Sequence, residues 1–126
     1  MSTTNFPNGI TADVIGDVIG GVQYPVQEAS ESGAITIKSG IVVLTKAGVA
    51  AMTLAAPTAS DDGKVLIIDS LTAQAHTLTL AGGLRGAGAG ADVGTFGAAI
   101  GNGIALYAYG GAWYPVPGTN TNVTFA

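Results

Sequence analysis

From Gly33 onward the sequence is cut into short β-type runs by Gly, Asp-Gly and Pro, and this punctuation restricts the fold more than any other feature. The runs 33–38 and 76–82 alternate apolar and polar side chains, which is typical of strands with one buried face. The run 64–70 is almost continuously apolar and is predicted as a central strand. No segment keeps a helical period over a useful length. The sequence therefore predicts an all-β fold, a small antiparallel sandwich or barrel with an extended N-terminal arm.

The strongest local prediction is a β-hairpin near the C-terminus. The runs 103–109 and 112–116 are joined by Gly110-Gly111, a dipeptide suited to a tight hairpin turn. Residues 120–126 are predicted as a last edge strand. The only repeat recognised is the tandem DVIG-DVIG at 13–20, so no repeat of roughly 20–50 residues, the sign of a stacked architecture, is expected.

The charge content is unusually low. Charged residues make up 10% of the 126 residues, whereas a typical soluble domain carries about 25%. A chain of this kind presents a large, weakly polar surface, and such surfaces usually mark contact sites. We therefore expect much of the surface to be covered by copies of the same chain or by a partner. The alternative is a monomer kept soluble by its many Thr, Ser, Gly and Asn residues.

The first 32 residues differ from the rest and suggest a two-part organisation. They contain NFPNG (5–9), the tandem DVIG and four of the eight acidic residues. The glycines of the tandem disfavour a helix. We interpret residues 1–32 as an extended arm, with a disordered tail as the alternative, and residues 33–126 as a β-rich oligomerisation domain.

Several classes of partner are excluded by composition. The chain has only four basic residues, and they are scattered, so the basic stripe that a nucleic-acid binder needs is absent. No stretch of 18 continuous apolar residues is present, so no membrane contact is expected. The lack of cysteine excludes disulfides and thiolate metal sites.

The glycine segment GGLRGAGAGADVG (82–94) matches the G-x-G-x-x-G/A pattern of dinucleotide sites. Such a site needs a helix to follow, because the helix N-terminus holds the pyrophosphate. The next residues, 92–103, contain four more glycines, which cannot sustain that helix. We interpret the segment as a flexible connection between strands whose small side chains allow another chain to approach closely.

Other chemistry is equally poorly supported. His76 is the only histidine, and a Ser-His-Asp triad with Ser70 and Asp69 has no support in the sequence beyond the presence of these three residues. Asp61-Asp62 lacks the spacing of a calcium loop and is typical of a turn. We predict that the chain is not an enzyme, with no catalytic residue, no metal and no cofactor.

Aromatic residues are concentrated in the C-terminal hairpin. Tyr107 and Tyr109 share one face by period two, and Trp113 lies on the returning strand. Arg85 is the only arginine and is expected at a subunit boundary, paired with Asp92 or with an acid of the next copy. Together these four residues are predicted to form a subunit interface, with core packing or contact with a glycan as alternatives.

Several motifs resemble small β-rich virion proteins of tailed bacteriophages. The opening MSTTNFPNGIT is similar to the N-termini of such proteins. The stretch from Gly33 to Val116 resembles them in the Ser39-Gly40 start, in LAAPTASDDGKVLIIDS (54–70), in AHTLTL (75–80), in the glycine segment and in Gly-Ala-Trp-Tyr (111–114).

The resemblance implies a head-decoration or head-fibre protein, or a piece of a tail fibre. It implies a symmetric homo-oligomer, often a trimer, that binds the major capsid protein from outside and stabilises the shell. The expected location is the capsid exterior of the virion, after synthesis in the host cytoplasm. The alternative is a fibre module that recognises a host-surface glycan. The arm side chains predicted to bind the capsid are Phe6, Ile10, Val14, Ile15, Val18 and Ile19.

Overall fold

The computed structural model describes residues 21–126, which form ten β-strands and one short 3-10 turn, Ala59–Asp61. The six capsid-binding residues predicted in the arm, Phe6, Ile10, Val14, Ile15, Val18 and Ile19, lie outside the described residues. The strands are β1 Val26–Ala29, β2 Gly33–Ala34, β3 Gly40–Leu44, β4 Ala51–Leu54, β5 Val65–Ser70, β6 Thr77–Leu80, β7 Val93–Phe96, β8 Gly103–Tyr109, β9 Ala112–Pro115 and β10 Val123–Phe125.

The strands form two five-stranded sheets packed face to face. Sheet 1 has the order β1-β3-β5-β8-β9, and sheet 2 has the order β10-β7-β6-β4-β2. Side chains alternate between the space inside and the outside, as in β5, where Leu66 and Ile68 are buried and Val65 and Ile67 are exposed. The predicted all-β sandwich is confirmed.

The sheets contain both parallel and antiparallel pairs, so the expectation of an antiparallel sandwich was wrong in this respect. From β1 to β6 the chain crosses to the opposite sheet after every strand, so each pair of consecutive strands forms one coil. Successive strands of one sheet then run in the same direction, and β1-β3-β5 and β2-β4-β6 are parallel. The four pairs that involve β7 to β10 are antiparallel: β6-β7 and β8-β9 join consecutive strands, whereas β5-β8 and β7-β10 join strands that are separated in the sequence.

The second and third coils are stacked with a constant offset of 26 residues. Ile41 pairs with Ile67 in sheet 1, and Met52 pairs with Leu78 in sheet 2, each 26 positions apart. The expectation of no repeat of this length was therefore wrong. Only a short match, MTLA (52–55) against LTLA (78–81), marks the repeat in the sequence.

The predictions of individual strands and turns are confirmed where both alternation and turn residues support them. The hairpin across Gly110-Gly111 is confirmed, with Tyr109 paired to Ala112. β5 is the central strand of sheet 1, and β10 is an edge strand of sheet 2. The run 33–38 is mostly irregular, since only Gly33–Ala34 is a strand, although Ile35 is buried in the core.

The sandwich begins before Gly33. β1 lies within the segment interpreted as an arm, and it pairs in parallel with β3. The Gln27 side chain closes this first coil: its Oε1 accepts from the backbone N–H of Thr36 at 2.8 Å, and its Nε2 donates to the carbonyl of Ala34 at 3.1 Å. Residues 26–32 are therefore part of the folded domain.

Candidate functional site: the outer face of sheet 1

The most unusual surface of the described chain is the outer face of sheet 1. In a sandwich the outward positions of each strand are normally polar. Here they are occupied mainly by aliphatic and aromatic side chains that include exposed Val65 and Ile67 of the central strand. The members of this face are Val26, Ile41, Val43, Val65, Ile67, Ala105, Tyr107, Tyr109 and Tyr114.

The charges on this face lie near its ends. Glu28 of β1 and Asp69 of β5 point outward at one end of the strands, and the register places Val43 between them. Towards the other end the register runs Val65, Tyr107, Tyr114. The middle of the face is therefore apolar, and exposed hydrocarbon side chains such as Val65 and Ile67 are in contact with water.

The outer face of sheet 2 has a different character. Its outward positions are mostly threonines, with Thr77 paired to Thr95 and Thr95 paired to Thr124. These hydroxyl-bearing side chains satisfy the usual pattern of an antiparallel pair with one solvated face. The two sides of the sandwich thus differ, because outward apolar side chains predominate on sheet 1, whereas on sheet 2 Val93 is accompanied mainly by threonines.

Two hollows flank Ile67 on the outer face of sheet 1. One, of about 250 Å³, lies between Tyr24, Gly40, Ile41, Val65 and Ile67. The other, of about 280 Å³, is bordered by Gly103, Ala105, Asp69, Thr119 and Thr121. The Ile67 side chain is 43% exposed and forms a ridge between them.

Three of the four predicted interface residues belong to this face or its border. Tyr107 stacks on Tyr114 with ring centroids 5.3 Å apart, and Tyr109 meets Tyr114 edge-on at 6.2 Å. The Arg85 guanidinium lies 5.6 Å from the centroid of Tyr114. The resulting row of Arg85, Tyr114 and Tyr107 is held by stacking and cation–π contacts.

The predicted pairing of Arg85 with Asp92 is not found among the ion pairs of residues 21–126. Arg85 instead has a left-handed backbone, with φ of 59°, and its N–H donates to the carbonyl of Trp113 at 2.8 Å. The neighbouring Leu84 forms a bridge to Trp113 on the free side of β9. This contact explains why Arg85 points to Tyr114 rather than to an acid.

The glycine segment connects β6 to β7 and touches β9 on the way. Gly83 and Gly88 lie back to back: a Cβ atom added to Gly83 would be 2.6 Å from the Gly88 nitrogen and 2.7 Å from its oxygen. Gly83 also has φ of 77°, a conformation that favours glycine. The close approach that the small side chains allow is therefore within the chain itself.

Trp113 is not available to a subunit interface. Its side chain is 1% exposed and points between the sheets, and its indole N–H donates to the carbonyl of Ala55 at 2.9 Å. The alternation of β9 places Trp113 inside and Tyr114 outside. The interface prediction is thus corrected at Trp113, whose large apolar ring is used by the core.

His76 is fully buried, and both of its ring nitrogens take part in hydrogen bonds within the fold. Its Nδ1 accepts from the backbone N–H of Ala50 at 2.9 Å, and its Nε2 lies 3.0 Å from the hydroxyl of Thr72. That hydroxyl donates to the carbonyl of Lys46 at 2.7 Å, so it accepts from a neutral Nε2–H. Burial lowers the pKa of His76, because the imidazolium would lose its hydration.

The His76 contacts predict a loss of stability in mild acid. In the unfolded chain His76 is protonated below about pH 6.5, whereas in the folded chain its pKa is lower and it stays neutral. The contribution of neutral His76 to stability is therefore complete above about pH 6.5. It is lost as the pH falls from there towards the lowered pKa of the folded state. Thermal unfolding at pH 8 to 5 measures this loss. In His76→Leu the decline over this range is expected to disappear, and at pH 8 the variant should be less stable by about 1–3 kcal/mol because the Ala50 N–H loses its acceptor. A variant with the wild-type decline would contradict this role.

Asp61 and Asp62 are structural residues of the turn that precedes β5. Asp61 forms ion pairs with Lys38 at 3.1 Å and Lys64 at 2.8 Å, and it accepts from the Thr58 N–H. These contacts, with that to Lys64 contributing most, hold the pKa of the Asp61 carboxyl well below its usual range. Asp62 accepts from the N–H of Gly110 in the hairpin turn. These contacts use the carboxylates that a calcium ion would need.

Comparison with protein-family models, with curated proteins and with solved structures gives no match. In residues 21–126 no three His, Asp or Glu side chains are grouped as a metal site would require. Within the same part of the chain, no helix is both long enough and apolar enough to cross a membrane.

Sequence reasoning named only Tyr107 and Tyr109 of the outer face, and Val65, Ile67 and Tyr114 are the most informative of the members that it missed. The signal was present in both strands. In KVLIIDS, period two places Val65 and Ile67 on one side of the strand, and the Gly110-Gly111 turn places Tyr114 opposite Tyr107. Because the run of β5 is almost continuously apolar, both of its sides were expected to be buried, and the outward position of Val65 and Ile67 was not recognised.

Proposed function

We propose that the chain is a virion structural protein, a decoration protein that binds the outside of a tailed-phage head as a homo-oligomer and stabilises it. The observation that supports the proposal is the apolar outer face of sheet 1, in a chain with only 10% charged residues. A face of this kind is costly in water unless another surface covers it. The sequence resemblance to phage virion proteins points to the same class.

In the proposed mechanism the protein strengthens the shell by binding to it. The N-terminal arm docks on the major capsid protein through Phe6, Ile10, Val14, Ile15, Val18 and Ile19. Binding to the assembled shell, and not to its separated subunits, stabilises the shell by mass action. Tyr24 borders the hollow beside Ile67 on the outer face of sheet 1. The proposed location is the virion exterior, after synthesis in the host cytoplasm.

Co-sedimentation with heads purified from the source phage tests this function. The full chain should pellet with the heads, whereas Ile15→Ser/Ile19→Ser should bind at least a hundredfold more weakly, because two buried isoleucines contribute about 3–5 kcal/mol. The matched control is Ile100→Ser, an exposed isoleucine of the domain, which should bind as the full chain does.

A chain lacking residues 1–20 should also lose binding while keeping its unfolding transition. The deletion must stop before β1, which belongs to sheet 1. Full binding by this truncated chain would exclude the arm as the capsid contact. Failure of the complete chain to bind heads would exclude the decoration function.

The second candidate is a fibre module that binds a host-surface glycan. The ring of Tyr109 is 62% exposed and offers a stacking surface for a sugar. The rest of the cluster is less suited to this, because Tyr114 lies between Tyr107 and Arg85 and Trp113 is buried. Glycan-array binding that disappears in Tyr109→Ala would favour this candidate, and an array without any signal would exclude it.

A further inference from the structure

We infer that a second copy of this chain packs against the outer face of sheet 1, in a pair with twofold symmetry. The inference rests on the self-association that is part of the proposed function, and it assigns the contact surface and the symmetry. It is tested on the isolated protein, so its failure is distinguishable from a failure to bind phage heads.

The strand edges are poor sites for self-association. β1 has four residues, is preceded by Pro25 and carries Glu28, and β2 has only two residues. Short strands, prolines and charges are the usual protection of a sheet edge. On the other side of sheet 1, β9 is flanked by Leu84. Copies therefore meet through a face rather than by joining their sheets.

The outer face of sheet 1 contains both projections and hollows. Ile67 and Val65 project at 43% and 42% exposure, and the hollows of about 250 and 280 Å³ lie on either side of Ile67. In a twofold interface the same patch occurs on both copies, so each projection must find a hollow on that same patch. A face that carries both is able to complement itself.

The size of the face suits a dimer. Five strands about 4.8 Å apart give a width of roughly 24 Å, and strands of four to seven residues at about 3.3 Å per residue give a mean length of roughly 17 Å. The projected area of roughly 400 Å² lies within the range of the largest patches found on monomers, about 300–600 Å². Because the rugged accessible surface exceeds its projection, the pair has an interface at the small end of specific contacts, below the roughly 800 Å² per partner of a standard one.

The charges at the border favour one orientation. Glu28 and Asp69 point outward at one end of the strands, whereas Arg85 lies beside Tyr114 towards the other end. If the strands of the two copies run in the same direction, the acidic ends face each other. A twofold axis that reverses the strands instead separates the acidic ends, and it brings Asp69 of the central strand towards the end of the other copy that carries Arg85.

The same geometry favours a pair over the trimer that the resemblance implies. A closed ring needs two different patches that complement each other at an angle. The two outer faces of a sandwich point in opposite directions, so stacking sheet 1 on sheet 2 of the next copy would continue into a filament. The threonine-rich face of sheet 2, with Thr77, Thr95 and Thr124 in one row, remains solvated in the pair.

Light scattering after size exclusion tests the inference. The full chain should have twice the 12.3 kDa mass of one chain. Ile67→Lys and Val65→Lys should each raise the Kd of the pair at least a hundredfold and give monomers with an unchanged fold, since both positions are already exposed. The matched control is Thr79→Lys, an exposed outward position on β6 of sheet 2, which should stay paired.

Any of four results would overturn the inference. A full chain that is monomeric at high concentration has no such contact, and a mass of three chains contradicts the twofold symmetry. Pairs that persist in both Ile67→Lys and Val65→Lys, or that dissociate equally in Thr79→Lys, place the contact elsewhere.

Discussion

Replacing Trp113 with alanine is expected to lower the free energy of unfolding by about 3–5 kcal/mol, the range for removing a large aromatic side chain from a core. The indole ring is 1% exposed, and its N–H donates to the carbonyl of Ala55, so it ties sheet 1 to the chain that leaves β4. Truncation leaves both a cavity and a carbonyl without its donor. Urea unfolding at a fixed protein concentration measures the change.

Tyr114→Ala is the matched control for this substitution. Tyr114 is the next residue of β9, points to the outer face and is only partly buried. It should cost clearly less stability than Trp113→Ala while weakening self-association. An opposite outcome, in which Trp113→Ala dissociates the protein without destabilising each chain, would restore Trp113 to the interface and contradict its place in the core.

Gly83→Ala is expected to lower the free energy of unfolding by about 2–4 kcal/mol, combining the cost of a left-handed non-glycine residue with that of overpacking. The new methyl group would meet the backbone nitrogen and oxygen of Gly88 at 2.6 and 2.7 Å. Neither atom belongs to a side chain that can rotate away. The loop between β6 and β7 must therefore shift, and its contacts with β9 shift with it.

Gly90→Ala separates the two contributions. Gly90 lies in the same loop and has φ of 93°, but a Cβ atom there would meet nothing within 4 Å. Its cost should be confined to backbone strain, about 1–2 kcal/mol. Equal melting temperatures for Gly83→Ala and Gly90→Ala would show that the contact between Gly83 and Gly88 does not matter for stability.

The elements that sequence reasoning located correctly are those where local chemistry decides. The Gly110-Gly111 turn determines the β8-β9 hairpin, because glycine supplies the positive φ angles and the flanking runs supply the strands. The apolar run of β5 led to the correct prediction of a central strand, although only one of its two sides is buried. All-β character follows from the absence of helical periodicity.

The pairing of the strands could not be obtained in the same way. Alternation tells which side chains are buried, but not which strand lies next, so the parallel stacking of β3 on β5 and of β4 on β6 was missed. The offset of 26 residues preserves the inward and outward pattern more than residue identity. Ile41 matches Ile67, for example, whereas buried His76 occupies the position of Ala50.

Only part of the candidate site was predicted, because alternation groups side chains on one side of a strand without telling which side faces inward. Period two correctly placed Tyr107 and Tyr109 on one side, but the pattern of β9 does not say whether Trp113 or Tyr114 faces inward. Packing between the sheets decides this, and the larger, less polar ring takes the inner position. The partner of Arg85 was set by a left-handed backbone that sequence reasoning did not anticipate.

Cross-linking at Ile67 is the most direct measurement of whether the outer face of sheet 1 meets a second copy. The chain has no cysteine, so Ile67→Cys introduces a single thiol at the centre of the face, and Thr79→Cys introduces one on sheet 2. Packed sheets lie about 10 Å apart, a span that a short thiol-reactive cross-linker bridges. Efficient formation of a covalent pair is expected for Ile67→Cys and not for Thr79→Cys. Equal yields for the two variants, or no covalent pair for Ile67→Cys, would contradict a contact through sheet 1.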